Sequence, residues 1–351
     1  MSQDTITIRR PDDWHLHLRD GEILRAVLPA TARQFARAII MPNLVPPVTA
    51  PEAARAYRER ILAVLPAGSQ FLPLMTCYLT DDSDPDEIAR SHAEGIFIAA
   101  KLYPAHATTN ARFGVTDVTR IYRVLERMER INMPLLVHGE ATEPKIDVFD
   151  REQVFLDHTL VPLLERFPML KVVLEHVTTA DGVQLVIAQG GRLAATITPH
   201  HLMINRNAMF AGGIRPHMYC LPVAKREEDR QALRKAVTSG TPWFFLGTDS
   251  APHPVPLKET ECGHAGIFNA LVALACYAQV FDEEGALDRL EAFASLNGPR
   301  FYGLPVNEGT VTLYRRSQVV KGEMRVGDDT IRPFLAGEEI AWSLAPSMEG
   351  D

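Results

Sequence analysis

The chain has 351 residues, of which 46% are hydrophobic, and a net charge of -8 at pH 7. This length allows an extensive core, while the acidic balance argues against a surface for nucleic acid or another polyanion. The four cysteines show no C-x-x-C spacing, which argues against a zinc knuckle or a disulfide framework and suits a reducing compartment. Since we find neither a signal-peptide pattern nor an apolar stretch of the roughly 20 residues that a membrane span needs, we expect a cytoplasmic protein that binds no membrane.

The first predicted element carries two histidines, His15 and His17, separated by one residue. Side chains alternate faces along a strand, so this pair would point two imidazoles at one place. Neutral imidazole is a common nitrogen ligand of divalent metals. The alternative is an edge strand with two solvated histidines, and the later elements favour the metal site.

Four later apolar runs each lead to a residue that can bind a metal or react. They are residues 96–100 before Lys101, 134–137 before His138, 171–175 before His176 and 243–248 before Asp249. Short apolar runs without alternation are typical of strands buried on both faces of a parallel sheet. Helix-like stretches lie between them, as at 117–131 and 152–167. This alternation predicts repeated β-α-β units.

The spacing of these residues predicts eight strands. Lys101, His138 and His176 follow one another at intervals of 37 and 38 residues, and the 73 residues from His176 to Asp249 hold two such units. The stretch between the histidine pair and Lys101 is long enough for two further strands. Closing eight parallel strands into a (β/α)8 TIM barrel brings the ends of the first, fourth, fifth, sixth and eighth strands to one face, where barrel active sites lie. A doubly wound open sheet would scatter them.

We therefore expect one α/β barrel domain over residues 1–351. A barrel of this kind takes about 250 residues, so length remains for long loops and for a C-terminal extension. The extension, about 306–351, is predicted to form short strands and turns packed on the barrel.

The candidate ligands are four histidines, one aspartate and one lysine, which are too many for one tetrahedral zinc and suit two metals with bridging groups. A protonated amine cannot coordinate a cation. Lys101 is therefore either paired with a carboxylate at the barrel mouth or has added carbon dioxide to its neutral amine. The resulting carbamate, N6-carboxylysine, would bridge the metals through its two oxygens. Charge favours the carbamate, because together with Asp249 and a hydroxide it offsets most of the charge of two divalent cations.

These motifs resemble the shorter, homodimeric bacterial dihydroorotases of the amidohydrolase superfamily. The matching strings are His15-Leu16-His17-Leu18-Arg19, Met41-Pro42-Asn43, Lys101-Leu102-Tyr103-Pro104, His138-Gly139-Glu140, Leu174-Glu175-His176-Val177 and Gly247-Thr248-Asp249-Ser250-Ala251-Pro252-His253. The resemblance extends to residues 297–305. It implies a homodimer that reversibly cyclises N-carbamoyl-L-aspartate to L-dihydroorotate in de novo pyrimidine synthesis.

The resemblance also implies a metal centre with two Zn²⁺ ions. His15 and His17 would hold the more buried ion together with Asp249. The other ion would be held by the remaining two ligands, His138 and His176. Carboxylated Lys101 and a hydroxide would bridge both ions, and Asp249 would serve as general base and then general acid.

The resemblance assigns Arg19, Asn43 and His253 to the α-carboxylate of the substrate, since arginine presents a planar fork of donors that fits a carboxylate. Each also has an ordinary interpretation, respectively as a surface ion pair, a turn residue and a loop histidine. The other substrate contacts that it implies are Leu221, Ala251, Ala265, Thr108 and Thr109. The two threonines lie in the segment 104–115, which forms either a lid over the substrate or a plain connecting loop.

Two other functions stay open at this point. A related hydrolase could act on hydantoin- or allantoin-like rings, although these lack the carboxylate that Arg19 would bind. A non-catalytic scaffold of the same superfamily would have lost metal ligands, whereas every ligand position is filled here. The histidines without an assigned role are His106, His200, His201, His217 and His264, and those expected on helices as surface or packing residues are His92 and His158.

Overall fold

The structure, a computed structural model, describes residues 4–345. A short strand, β1 (Thr5–Arg9), comes first. The eight parallel strands that follow are β2 (Asp12–Leu16), β3 (Arg37–Ile40), β4 (Leu72–Tyr78), β5 (Ala99–Leu102), β6 (Leu135–His138), β7 (Val172–Glu175), β8 (Leu193–Ile197) and β9 (Phe244–Leu246). They are hydrogen-bonded in chain order, which confirms the predicted barrel. The limits differ by a few residues from the apolar runs, so that Lys101 and His138 lie inside their strands.

The barrel closes at its mouth, just beyond the first and last strands. The backbone N–H of His17 donates to Ser250 O at 3.2 Å, and that of Asp249 donates to His15 O at 2.9 Å. These two hydrogen bonds join segments that carry three of the predicted metal ligands. The hydrogen bonds that close the barrel therefore also bring these candidate ligands together.

Helices cover the outside of the barrel. They are α1 (Gly21–Gln34), α2 (Pro51–Ala63), α3 (Pro85–Ala93), α4 (Tyr122–Arg130), α5 (Arg151–Phe155), α6 (Val161–Arg166), α7 (Ala180–Gln189), α8 (Pro199–Met203), α9 (Glu227–Thr238), α10 (Val255–Lys258), α11 (Ala273–Glu283) and α12 (Asn297–Tyr302). In α1, buried Leu24, Val27, Leu28 and Thr31 recur at the spacing of one helix face. No helix of the described residues is long and apolar enough to cross a membrane.

The helix predicted at 152–167 is interrupted. A π turn, Leu156–Leu160, joins α5 to α6. Pro162 has no N–H to donate to the carbonyl of His158, and a π turn absorbs such a break inside a helix. The helix predicted at 117–131 likewise begins with a 3₁₀ turn, Val118–Ile121, before α4.

The lower half of the barrel is a packed apolar core. Its inward-facing residues are Trp14, Ile39, Met41, Ala99, Leu136, Val173, Ala194 and Phe245. Trp14 stacks on Tyr302 of α12, with ring centroids 4.4 Å apart. Since alternate residues of a strand face the same side, the residues two positions beyond this core point to the mouth. Lys101 follows Ala99 in this way, and His138 follows Leu136.

The chain returns across its own N-terminal segment after residue 305. Between residues 306 and 345 the strands are β10 (Thr310–Tyr314), β11 (Gln318–Val319), β12 (Met324–Val326), β13 (Asp329–Ile331), β14 (Glu339–Ile340) and β15 (Ser343–Leu344). β10 pairs antiparallel with β1 and with β15. Short strands are predicted here from the sequence, but their pairing with β1 is not.

Candidate active site

The predicted ligands meet at the mouth of the barrel, all buried. His15 Nε2 lies 3.3 Å from His17 Nε2, and the two nitrogens lie 3.3 and 3.0 Å from Asp249 Oδ1. The ring of His176 lies 5.0 Å from that of His15 and 4.8 Å from that of His138, measured between centroids. An edge strand with two solvated histidines is therefore the wrong interpretation of the His-x-His pair.

An irregularity in β2 explains how His15 reaches this cluster. Asp13 and Leu16, three positions apart, pair with residues only two positions apart on β3. Such a bulge changes the face to which the following side chains point. As a result Trp14 belongs to the lower core while its neighbour His15 also faces the barrel interior.

Three site residues have a left-handed backbone, with φ of 58° at Arg19, 41° at His176 and 43° at Asp249. This conformation costs residues other than glycine about 1–3 kcal/mol and is concentrated at functional sites. The surrounding structure holds His176 and Asp249 in it: their N–H groups donate to Thr196 Oγ1 at 2.7 Å and to His15 O at 2.9 Å. The turn after each strand directs these side chains into the mouth.

Three of the four histidine rings have an oxygen partner beside one ring nitrogen. The pairs are His15 Nδ1 with Glu175 at 2.5 Å, His17 Nδ1 with Asn43 at 2.8 Å and His138 Nε2 with Glu140 at 2.8 Å. A ring N–H donated to such an oxygen leaves the other nitrogen with a free lone pair for a cation. Neither Glu140 nor Glu175 is predicted from the sequence to have a role at the site. The position of Glu140, two residues after His138, was a signal that could have found it.

Lys101 is fully buried, and its Nζ has no hydrogen-bond partner among the described residues. Lys101 therefore forms no hydrogen-bonded pair with a carboxylate, although the charges of Glu175 and Asp249 act on it. Burial lowers the pKa of this amine to about 8, which increases the neutral fraction near neutral pH. A buried amine without an acceptor is costly when charged, so this residue fits a neutral amine that reacts further.

The protonation states of three of the histidines and of Asp249 also fit a metal centre. His15 differs, because burial alone would lower its pKa but the charges of Glu175 and Asp249 raise it. Burial lowers the pKa of His138 and His176, and that of His17 to about 3. Burial alone would raise the pKa of Asp249, but contacts with His15 and His17 hold it well below its ordinary value. Neutral imidazoles and a carboxylate are the forms that bind metals.

The predicted substrate residues surround the same site. The cavity at the mouth is lined by His15, His17, Arg19, Asn43, Tyr103, Thr108, Thr109, His138, His176, Leu221, Asp249, Ala251, Ala265 and Gly266. Arg19 donates from Nη2 to His253 Nε2 at 2.9 Å and from Nε to Pro252 O at 3.3 Å. Among the described residues it forms no hydrogen bond to a carboxylate; the nearest carboxylate influence on it is the charge of Asp249 at the mouth, so the surface ion pair is the wrong interpretation. His253 is bonded to Arg19 but does not itself line the cavity. Tyr103 and Gly266 line the cavity and were not among the predicted substrate residues.

The loop 104–115 is folded over this cavity. Thr109 Oγ1 donates to Ala265 O at 3.2 Å, and Asn43 Nδ2 donates to Thr109 O at 3.1 Å. Tight packing fixes the loop base, because a Cβ on Gly114 would lie 2.3 Å from Tyr103 O. The loop thus joins the two sides of the mouth.

The remaining histidines lie outside the mouth. His200 and His201 are both buried, and His201 is bonded to Thr198 Oγ1 at 2.9 Å and to Pro222 O at 3.0 Å. On α3, His92 is bonded to Phe97 O at 2.8 Å. The others are exposed His106, exposed His158, His217 beside Glu259, and His264 against His253.

Comparisons with known proteins identify the family of the chain. The amidohydrolase family matches residues 12–313. A dihydroorotase of Sphingopyxis alaskensis is 63% identical over 341 residues, which cover 97% of this chain and 99% of that protein. The crystal structure of dihydroorotase from Campylobacter jejuni has a TM-score of 0.90 and 36% identity and covers 99% of both chains. That of the Saccharomyces cerevisiae dihydroorotase in complex with 5-fluoroorotic acid has a TM-score of 0.90 and 34% identity and covers 98% of this chain and 99% of its own. The chain therefore belongs to the amidohydrolase family and, within it, to the dihydroorotases.

Proposed function

We propose that this chain reversibly closes N-carbamoyl-L-aspartate to L-dihydroorotate at the barrel mouth, with two divalent metal ions, expected to be zinc. The observation that carries the proposal is one cavity lined by four histidines and Asp249, which could hold metal ions, and by Arg19, whose guanidinium is bonded to His253 and not to a carboxylate. Assays in both directions, with hydantoin as a rival substrate, test it. Turnover of hydantoin but not of dihydroorotate would favour the hydantoinase alternative, and a protein that binds no metal would favour the scaffold.

We assign one ion to His15, His17 and Asp249 and the other to His138 and His176. Lys101 would bridge them after its neutral amine adds carbon dioxide, which forms an N–C bond and releases one proton. The partnerless Nζ supports this assignment. When bound, the two ions would polarise the ring carbonyl and lower the pKa of water at the site.

Asp249 is the group that we expect to carry the proton. In hydrolysis its carboxylate would accept a proton from the attacking water and deliver it to the leaving ring nitrogen. In cyclisation it would take the proton from the carbamoyl nitrogen and return it as water leaves. Its low pKa keeps the carboxylate ionised, which is the form that can accept a proton, and its contacts with His15 and His17 orient its oxygen.

The carboxylate site gives the first prediction. Replacing Arg19 with methionine should raise KM about 10- to 100-fold, since a hydrogen bond to a charged group contributes about 1.5–3 kcal/mol. The bound metal should be unchanged. Steady-state kinetics with elemental analysis measures both. The structure of the yeast relative in complex with 5-fluoroorotic acid shows that this relative binds a ligand with a carboxylate.

Arg60 offers a matched control, because it is an exposed arginine paired with Asp20 at 2.8 Å. Arg60→Met should leave KM unchanged. If Arg19→Met has the wild-type rate at low substrate concentration, Arg19 does not bind the carboxylate.

The loop gives the second prediction. We propose that 104–115 is a lid whose Thr108 and Thr109 hydroxyls meet the substrate or the developing tetrahedral centre. Thr109→Val should lower kcat roughly tenfold or more, because a donor made in the closed state favours the transition state. The double variant with Thr108→Val should lose more. Turnover measured against metal content tests this, with Thr116→Val at the loop base, bonded to Asp81, as the control. Normal turnover of both lid variants would show that the loop is only a connecting loop.

Three broader expectations stay predictions. They are a single domain over 1–351 with an extension at about 306–351, a homodimer, and a cytoplasmic location. Sedimentation of the purified protein measures the oligomeric state.

A further inference from the structure

Lys258, the last residue of α10, is a buried lysine outside the metal centre, with an exposed fraction of 3%. Its Nζ donates to three backbone carbonyls: Tyr219 O at 2.9 Å, His264 O at 2.8 Å and Gly266 O at 2.7 Å. An ammonium has three donors, so every one is used. Burial lowers its pKa to about 8, and its charge is satisfied by peptide oxygens rather than by a carboxylate.

These carbonyls belong to two segments that form one wall of the cavity. Tyr219 lies two residues before Leu221, and His264 and Gly266 flank Ala265; both Leu221 and Ala265 line the cavity. The N–H of Gly266 also donates to Tyr219 O at 3.0 Å. Lys258 itself does not line the cavity. It joins the two segments from behind.

The segment 264–266 also contacts the lid and the carboxylate site. Ala265 O accepts the hydroxyl of Thr109. Gly266 packs so closely that an added Cβ would lie 2.7 Å from Ala251 O and 2.9 Å from His253 Cδ2. A displacement of this segment would therefore shift the lid, the cavity wall and His253, which is bonded to Arg19.

We propose that Lys258 is a positioning residue for substrate binding, which holds segments 219–221 and 264–266 together so that the wall fits the substrate and the lid can close on it. This inference rests on the proposed function. Without the ammonium, His264 O and Gly266 O lose their donor and Tyr219 O keeps only the N–H of Gly266, and unpaired acceptors away from water are costly. The segments would then separate to reach water or other donors.

The test compares Lys258→Met, which keeps the side-chain length but no donor, with Lys258→Gln, which keeps an amide donor. We expect KM for dihydroorotate and for N-carbamoyl-L-aspartate to rise about tenfold or more in the methionine variant, since small displacements of binding groups have effects of up to about 100-fold. The glutamine variant should lie between it and the wild type. kcat should change less than KM, and the metal content should stay at the wild-type level.

Hydrogen exchange gives a readout that does not depend on activity. Backbone amides of 104–115 and 264–267 should exchange faster in both Lys258 variants. Arg234→Met is the matched control, because Arg234 is a buried cation on α9, bonded to Glu283 and Glu284 at 2.7 and 2.6 Å. It should lower the thermal stability without changing KM or exchange in the loop.

The outcomes separate the two proposals. A metal-loaded wild type that turns over neither substrate contradicts the proposed function. An active wild type together with Lys258 variants whose KM and loop exchange are unchanged overturns the role of Lys258. Loss of metal in parallel with loss of activity also overturns it, because the effect would then act on the metal centre. If Lys258→Met does not fold, the KM values and loop exchange of Lys258→Gln test the role of Lys258.

Discussion

Replacing Lys101 with alanine is expected to remove nearly all activity and most of the bound metal. The wild-type Nζ is buried and makes no hydrogen bond to any residue that the structure describes, and as a carbamate it would supply two oxygens and a negative charge to both ions. Metal-ion stabilisation contributes several kcal/mol, so we expect a rate loss of about 1000-fold or more. Rates and elemental analysis measure the two losses. Native mass spectrometry should find one added carbon dioxide on the wild type and none on the variant.

A small carboxylate such as propionate should restore part of the activity of this variant, because it can occupy the place of the carbamate. Lys101→Arg should stay inactive, since a guanidinium remains charged and forms no carbamate. Lys225→Ala is the control: Lys225 is also buried, but its Nζ donates to Val223 O at 3.0 Å. Wild-type turnover in Lys101→Ala would contradict the bridging role.

Replacing Asp249 with asparagine is expected to lower kcat by about 10²- to 10⁴-fold, the range of general acid–base catalysis. Asparagine keeps the shape and one oxygen, but an amide cannot carry the proton between water and the ring nitrogen. Asp249 is well placed for this role, because Oδ1 lies 3.0 Å from His17 and 3.3 Å from His15. The decrease should appear in both directions of the reaction, measured per bound metal.

Asp12→Asn is the matched control for this substitution. Asp12 is also a buried carboxylate, but it pairs with Arg37 at 2.6 Å on the strand segment before Trp14. This control should lose stability, because a buried ion pair is broken, while its folded fraction keeps kcat. If Asp249→Asn retains its metal and the wild-type rate, another group carries the proton.

The barrel can be predicted from the sequence because each of its strands is encoded by a pattern of neighbouring residues. Each strand is a short apolar run, and neighbouring strands of such a barrel follow chain order, so spacing alone places Lys101, His138 and His176 at one face. The exact ends of the strands are not encoded by neighbouring residues, because a strand ends where its hydrogen-bonded partner ends. For this reason β5 extends to Leu102, which pairs with Val137 of β6.

The sequence by itself determined the eight strands, the face on which the candidate ligands meet and the residue types there that could bind metal. The tertiary structure alone decided that Glu175 lies beside His15, that β10 pairs with β1, and that Lys258 joins two segments of the cavity wall. Each of these contacts joins positions that are distant or aperiodic in the chain. Their formation depends on the closed barrel and on burial, which bring these groups within hydrogen-bond distance, and no local pattern of residues encodes that geometry.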